Sequence, residues 1–159
     1  MNTNIRRAAD ADIPALLRLL SQVLELHAQN RPDIFIPGTT KYTEPELQEL
    51  LRDETRPIYV AADDDGAVLG YAFCQLRRPP FTTTMVPFTA FFIDDLCVDE
   101  TVRGQHIGEA LFSHVLSEAK RLGCRDVTLN VWSFNEGARA FYERMGMTPK
   151  ETLMEIRVP

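Results

Sequence analysis

The segment from Ile93 to Leu111, IDDLCVDETVRGQHIGEAL, constrains this chain more than any other. The run from Phe88 to Val98 reads as a strand rich in aromatics. It leads into a turn holding Arg103, Gly104 and Gly108, and a helix from about His106 to Leu122 follows at once. The apolar positions of that helix, Ile107, Ala110, Leu111, Val115, Ala119 and Leu122, form one stripe on a 3.6-residue period. Backbone amides at such a helix start lack partners and carry the positive end of the helix dipole, so they form an anion site whose usual guest is a phosphate. A tight turn that only needs glycine accounts for the same residues. No Gly-Lys-Ser/Thr follows, so the turn is not a P-loop, and the glycine order of a dinucleotide fingerprint is absent.

The rest of the chain supports one α/β domain over residues 1–159. Asn4 to Ala8 reads as a first strand, and a helix with Pro14 in its first turn runs to about Gln29 on Leu16, Leu19, Leu20, Val23, Leu24 and Leu26. Residues 30–42 read as a loop. Thr43 and Glu46 make a capping box for a short helix. Strands are predicted at 57–62 and 68–76 around the Asp63–Gly66 turn, at 126–131, and at 152–158. Ala138, Phe141, Tyr142 and Met145 mark a last helix that Gly146 closes.

The sum of 17 basic and 23 acidic residues is −6, which disfavours a nucleic-acid binder and mildly suits a cationic substrate. Cys74, Cys97 and Cys124 form no CxxC pair, so neither a disulfide framework nor a zinc site is indicated. The N-terminus lacks the build of a signal peptide, and no apolar run reaches the roughly 20 residues that span a bilayer. A cytoplasmic protein without membrane or nucleic-acid partners is the expectation.

Arg103-Gly-Gln-His-Ile-Gly resembles the pyrophosphate loop of the GNAT acetyltransferase superfamily, Arg/Gln-x-x-Gly-x-Gly/Ala, with His106 standing where that pattern has its first glycine. A second block, Asn135-Glu-Gly-Ala-Arg-Ala-Phe-Tyr-Glu-Arg-Met-Gly-Met, resembles the superfamily's Asn-x-x-Ala-x-x-Phe-Tyr-x-x-x-Gly-Phe segment. Together the blocks cover about the C-terminal 60 residues. The resemblance implies a GNAT-type fold: a mixed central sheet with helices on both faces and a cofactor cleft beside the strand ending at Val98. It implies acetyl-CoA as co-substrate, with Leu96, Cys97 and Val98 offering backbone groups to the pantetheine. Arg103, Gly104, Gln105, His106, Ile107 and Gly108 would hold the pyrophosphate. Asn135, Ala138 and Tyr142 would complete the cofactor set, with Tyr142 facing the sulfur. A homodimer is implied by resemblance alone.

Asp94 and Asp95 sit inside a strand, where an unpaired buried carboxylate costs several kcal/mol. Alternation places Asp94 with Phe92, Leu96 and Val98. Ion pairs to Arg77, Arg78 or Arg103 are the structural explanation, and a role beside the thioester is the functional one. The run Ile93–Val98 is similar to the acidic pair of spermidine/spermine acetyltransferases. The implied chemistry is direct acetyl transfer to a small, cationic amine. Asp94 acts as base, Asp95 as a further substrate residue, and Tyr142, with a pKa near 10, as acid to the departing thiolate. No metal and no cysteine nucleophile are needed. A protein acetyltransferase, a non-catalytic CoA-binding module and an α/β scaffold are the alternatives. The acceptor would be chosen by loops 30–42 and 79–88.

Overall fold

The computed structural model describes residues 3–159, which form a five-stranded sheet in the order β1-β2-β3-β4-β5. The strands are β1 (Asn4–Arg7), β2 (Ile58–Ala62), β3 (Val68–Arg77), β4 (Ala90–Val98) and β5 (Asp126–Leu129). Neighbours pair antiparallel except β4 and β5, which are parallel. The helices are α1 (Ile13–Asn30), α2 (Glu44–Leu50), α3 (Ile107–Arg121) and α4 (Glu136–Arg144). Among the described residues no helix is long and apolar enough to cross a membrane.

Local rules act where the sequence places them. Thr43 accepts the Glu46 amide while Glu46 reaches back to the Thr43 amide, so the capping box of α2 is formed. Asn135 caps α4 by accepting from the Ala138 amide. At the far end Gly146, at φ 98°, lets the Met147 amide turn back to the Tyr142 carbonyl at 3.0 Å.

Period-two burial divides the core between the two sheet faces. On one face Leu16, Leu19 and Leu20 of α1 and Leu47 of α2 meet Ile58, Val60, Tyr71, Phe73 and Cys97. On the other, Ile107, Leu111, Phe112 and Val115 of α3 meet Tyr59, Leu69, Ala72, Phe91 and Ile93. The bidentate pair of Arg6 with Asp12, at 2.7 and 2.9 Å, ties β1 to the start of α1. Arg18 of α1 bonds Asp99, which also accepts the Thr101 amide at 3.0 Å. Burial opposes the charge of Asp99, but these donors outweigh it and hold its pKa down at about 2. The turn between β4 and α3 is thereby anchored to α1.

One expected element is absent. Residues 152–158 form no strand, and Leu153, Met154, Ile156 and Val158 are 82–97% exposed. Their apolar alternation suits a strand, but β5 ends the sheet and is only four residues long. Ion pairs hold the segment instead, Glu155 to Arg31 at 2.7 Å and Arg157 to Asp33 at 2.6 Å.

Candidate active site

Three features converge at the C-terminal half of β4: an open strand edge, a bare helix start and a pair of carboxylates. The β4–β5 pairing ends at Ile93 and Leu129, whereas the β3–β4 pairing continues to Val98. The Asp99 amide donates to the Leu69 carbonyl at 2.8 Å. In an antiparallel ladder this turns the peptide groups of Asp95 and Cys97 toward β3 and those of Leu96 and Val98 toward the open side. Arg103 Nε reaches the Val98 carbonyl there, at 3.4 Å. The backbone groups offered along this edge are therefore those of Leu96 and Val98, and the Cys97 peptide is used by the sheet.

At the start of α3 the Ala110 amide is the first intrahelical donor, onto the His106 carbonyl at 3.0 Å. The amides of Ile107, Gly108 and Glu109 precede it, and no side chain caps them. His106 adopts the left-handed conformation, φ 61° and ψ 15°, and Gly104 also has a positive φ of 80°. His106 thus keeps the backbone that a glycine would adopt, at roughly 1–2 kcal/mol for its Cβ. Its ring lies outward, with Nδ1 at 3.0 Å from Glu109 Oε2. At Gly108 a Cβ would meet Phe141 of α4 at 3.4 Å and Val98 at 3.6 Å, ordinary contact distances, so packing alone does not require glycine there. The fit to a pantetheine with a pyrophosphate rests on these two groups of donors, the open edge and the bare helix start.

The aspartates are arranged differently from strict alternation. Phe73 faces Asp95 and Cys74 faces Ile93, so Asp94 is the extra residue of a β-bulge. Both carboxylates consequently reach the α1/α2 face, and Asp94 does not share a face with Leu96 and Val98, which pack against the α3 cluster. Tyr71, opposite Cys97, donates to Asp95 Oδ2 at 2.8 Å. Tyr42 donates to Asp94 Oδ2 at 2.8 Å, and Lys41 Nζ lies 2.9 Å from the same oxygen. The partners of the pair are therefore Lys41 and two tyrosines, not the arginines; Arg77 lies over the Phe92 ring at 3.5 Å.

Burial pushes the Asp95 carboxyl up to about 6, with the neighbouring Asp94 charge adding to it and the Tyr71 hydroxyl and Lys41 opposing. Burial, the Asp95 charge and the Cys97 thiolate likewise raise the Tyr142 phenol, so it does not keep the ordinary value near 10. The Cys97 thiol is pushed up to about 12 by burial and Asp95, which leaves it a poor nucleophile.

Asn135 Oδ1 is engaged in the cap of α4 at 3.1 Å from the Ala138 amide, so its Nδ2 is the part left for a ligand. Loop 30–42 supplies Lys41, Tyr42 and Phe35, none of which the sequence singled out. Phe35 joins His27 and Trp132 at ring separations of 5.0 and 5.4 Å, and Phe134 lies 5.8 Å from His27. Burial, with Lys41 nearby, keeps the His27 imidazole below its ordinary pKa. The Tyr71–Asp95 bond had one signal in the sequence, a tyrosine inside a buried strand, whose hydroxyl requires a partner. Lys41 and Tyr42 had none, because their contacts span more than 50 residues. Among the described residues no cluster of three or more His, Cys, Asp or Glu is placed to hold a metal ion.

The family model for the GNAT acetyltransferases matches residues 20–147. The chain is 33% identical over 103 residues to the peptidyl-lysine N-acetyltransferase YjaB of Salmonella typhimurium, a match covering 64% of this chain and 58% of the relative. Matches to the curated relatives cover between 27% and 58% of their own lengths. A crystal structure of a point mutant of the BH1408 protein from Bacillus halodurans superposes with a TM-score of 0.93 at 32% identity, covering 98% of this chain and 99% of that one. AAC(6')-Iy, solved with the bisubstrate analogue CoA-S-monomethyl-acetylneamine, shares the fold at 17% identity with a TM-score of 0.76, covering 100% of this chain and 99% of that one. Strand edge, bare helix start and family match agree, and the chain belongs to the GNAT acetyltransferase family.

Proposed function

We propose that the protein transfers acetyl from acetyl-CoA directly to an amine, with Asp95 as the general base. The observation that carries this reading is the Asp95 carboxylate, bonded by the Tyr71 hydroxyl at 2.8 Å beside Asp94, on the strand whose far edge is open. Burial raises its pKa to about 6. A base with a pKa near the working pH is ionised yet basic enough to accept the proton an ammonium must lose before attack. A pure CoA-binding module needs no such group.

Acetyl-CoA supplies the activated acyl group as a thioester. The Leu96 and Val98 amides are the donors for its pantetheine and carbonyl, and fixed backbone donors of this kind favour charge developing on oxygen. The bare amides of Ile107 and Gly108, with Arg103, would hold the pyrophosphate, and Gly104, Gln105 and His106 shape that turn. Asn135 Nδ2 binds the pantetheine, and Ala138 lies beside it on α4. Tyr142 stays protonated at any working pH, so its hydroxyl hydrogen-bonds the departing sulfur.

The acceptor in this reading is a small polycation. Asp94 meets its charge, and a hollow of about 230 Å³ beside Tyr42 carries Glu49, Asp53 and the capping Glu46 on its wall, together with Arg56. The identity to a peptidyl-lysine acetyltransferase favours a second reading, a protein lysine. Release of CoA thiol with polyamines, aminoglycosides, amino acids and lysine peptides separates the two. Best turnover of a polyamine, declining with salt, supports the first; best turnover of a peptide, indifferent to salt, supports the second. A homodimer belongs to the same proposal, and the exposed apolar residues of 152–158 are the surface a second copy would cover. Sedimentation reads it directly.

A further inference from the structure

Lys41 is the one lysine of the protein held against Asp94. The chain has three lysines, Lys41, Lys120 and Lys150. Lys120 lies in the last turn of α3 and Lys150 is an exposed residue beyond α4, but Lys41 Nζ sits 2.9 Å from Asp94 Oδ2. It also lies 5.6 Å from the Tyr42 ring centre, and its charge acts on Asp95, the group placed to take a proton. Carboxylate, aromatic face and base are what an external ammonium would need, and one side chain of the protein has all of them.

We propose that Lys41 is an internal acceptor, acetylated by the protein's own acetyl-CoA when no external amine fills the site. The inference rests on the acetyltransferase reading above. In the reaction the Lys41 ammonium gives one proton to Asp95, and the free amine forms a bond to the acyl carbon. The carbon–sulfur bond breaks, its electron pair goes to the CoA sulfur, and the products are Nε-acetyl-Lys41, CoA thiol and one proton released to solvent. The modification removes the Lys41 charge and its ion pair, which leaves Asp94 to an incoming cation. A protein modified in this way has a lower KM for a diamine than the unmodified protein.

The test incubates the full chain with acetyl-CoA and no added amine, and follows the three lysines by peptide mass spectrometry. Lys41 gains an acetyl group at least about ten-fold faster than Lys120 or Lys150, because it alone of the three is held against the carboxylate next to the proposed base. Its first-order rate constant does not change with protein concentration, and it falls to the rate of the other two lysines in Asp95→Asn. Equal rates at all three lysines overturn the inference, as does an unchanged Lys41 rate in Asp95→Asn. Thiol release with a polyamine and calorimetry with acetyl-CoA are run on the same sample. Turnover of the polyamine without Lys41 modification refutes the internal acceptor and leaves the enzyme standing. Absence of both acetyl-CoA binding and turnover removes the enzyme and the inference together.

Discussion

Against α3 the sheet presents Leu69, Ala72, Phe91 and Ile93, and the polar tip near that contact, the Tyr59 hydroxyl, reaches outward to Glu118 at 3.2 Å. Against α1 and α2 the same sheet presents Tyr71 and, beyond the bulge, two aspartates. Both faces bury large side chains completely, so packing alone does not require the difference. An apolar face is the cheaper solution, since each recessed carboxylate must be desolvated and then matched by donors. The face carrying that cost is where the chemistry belongs. The bulge at Asp94 is the device that moves both acids there while Leu96 and Val98 remain with the other face.

The comparison can be broken most severely at Asp95. Asp95→Asn keeps the shape and the Tyr71 bond but removes the proposed base, so kcat should fall by about 10²–10⁴. The same change should raise the melting temperature at pH 8. Asp95 has a folded pKa above its unfolded value, so its contribution to stability is fully present below about pH 4 and lost as pH rises through about 6. Relative to the parent, the variant therefore gains at pH 8 and gains nothing at pH 4, which thermal melts at the two pH values will read.

Inside the α3-facing core, away from Tyr142, the effect should be on stability alone. Leu111 is fully buried, and Leu111→Ala should cost about 2–5 kcal/mol in urea unfolding while kcat per folded molecule holds. A loss of kcat in Leu111→Ala without loss of stability would undo the division between faces. Tyr142→Phe should lower kcat by about ten-fold and leave acetyl-CoA affinity in place, because the hydroxyl matters only as the sulfur departs. The smallest effect is expected at the phosphate turn. His106→Gly relieves the left-handed Cβ but adds freedom to the unfolded chain, for a net gain of about 0.5–1 kcal/mol in the same unfolding assay.

What the sequence made legible was local. The strand–turn–helix at 93–111, the Thr43–Glu46 box, the Asn135 cap and the Gly146 stop are each set by residues within a few positions, and all are present. The bulge was not legible, because it is a property of two strands in register, and strict alternation along β4 alone put Asp94 on the wrong face. Lys41 and Tyr42 come from a loop whose link to the site is the distant Asp94. His106 shows the reverse case: a residue that departs from the family pattern while its backbone obeys it. At 152–158 the expected strand does not form, because a strand also needs a neighbour, which these seven residues lack.

The account turns on which carboxylate takes the proton, and a pH profile separates the two. The side chains acting on Asp95 are Tyr71, Lys41 and Asp94, and burial raises its pKa to about 6. Asp95 must be ionised to act, so kcat/KM for thiol release with spermidine should fall as pH drops through about 6. That acid limb should persist in Asp94→Asn, whose defect is a higher KM, and vanish in Asp95→Asn. A limb that survives in Asp95→Asn, or that disappears with Asp94, would contradict the assignment of the base.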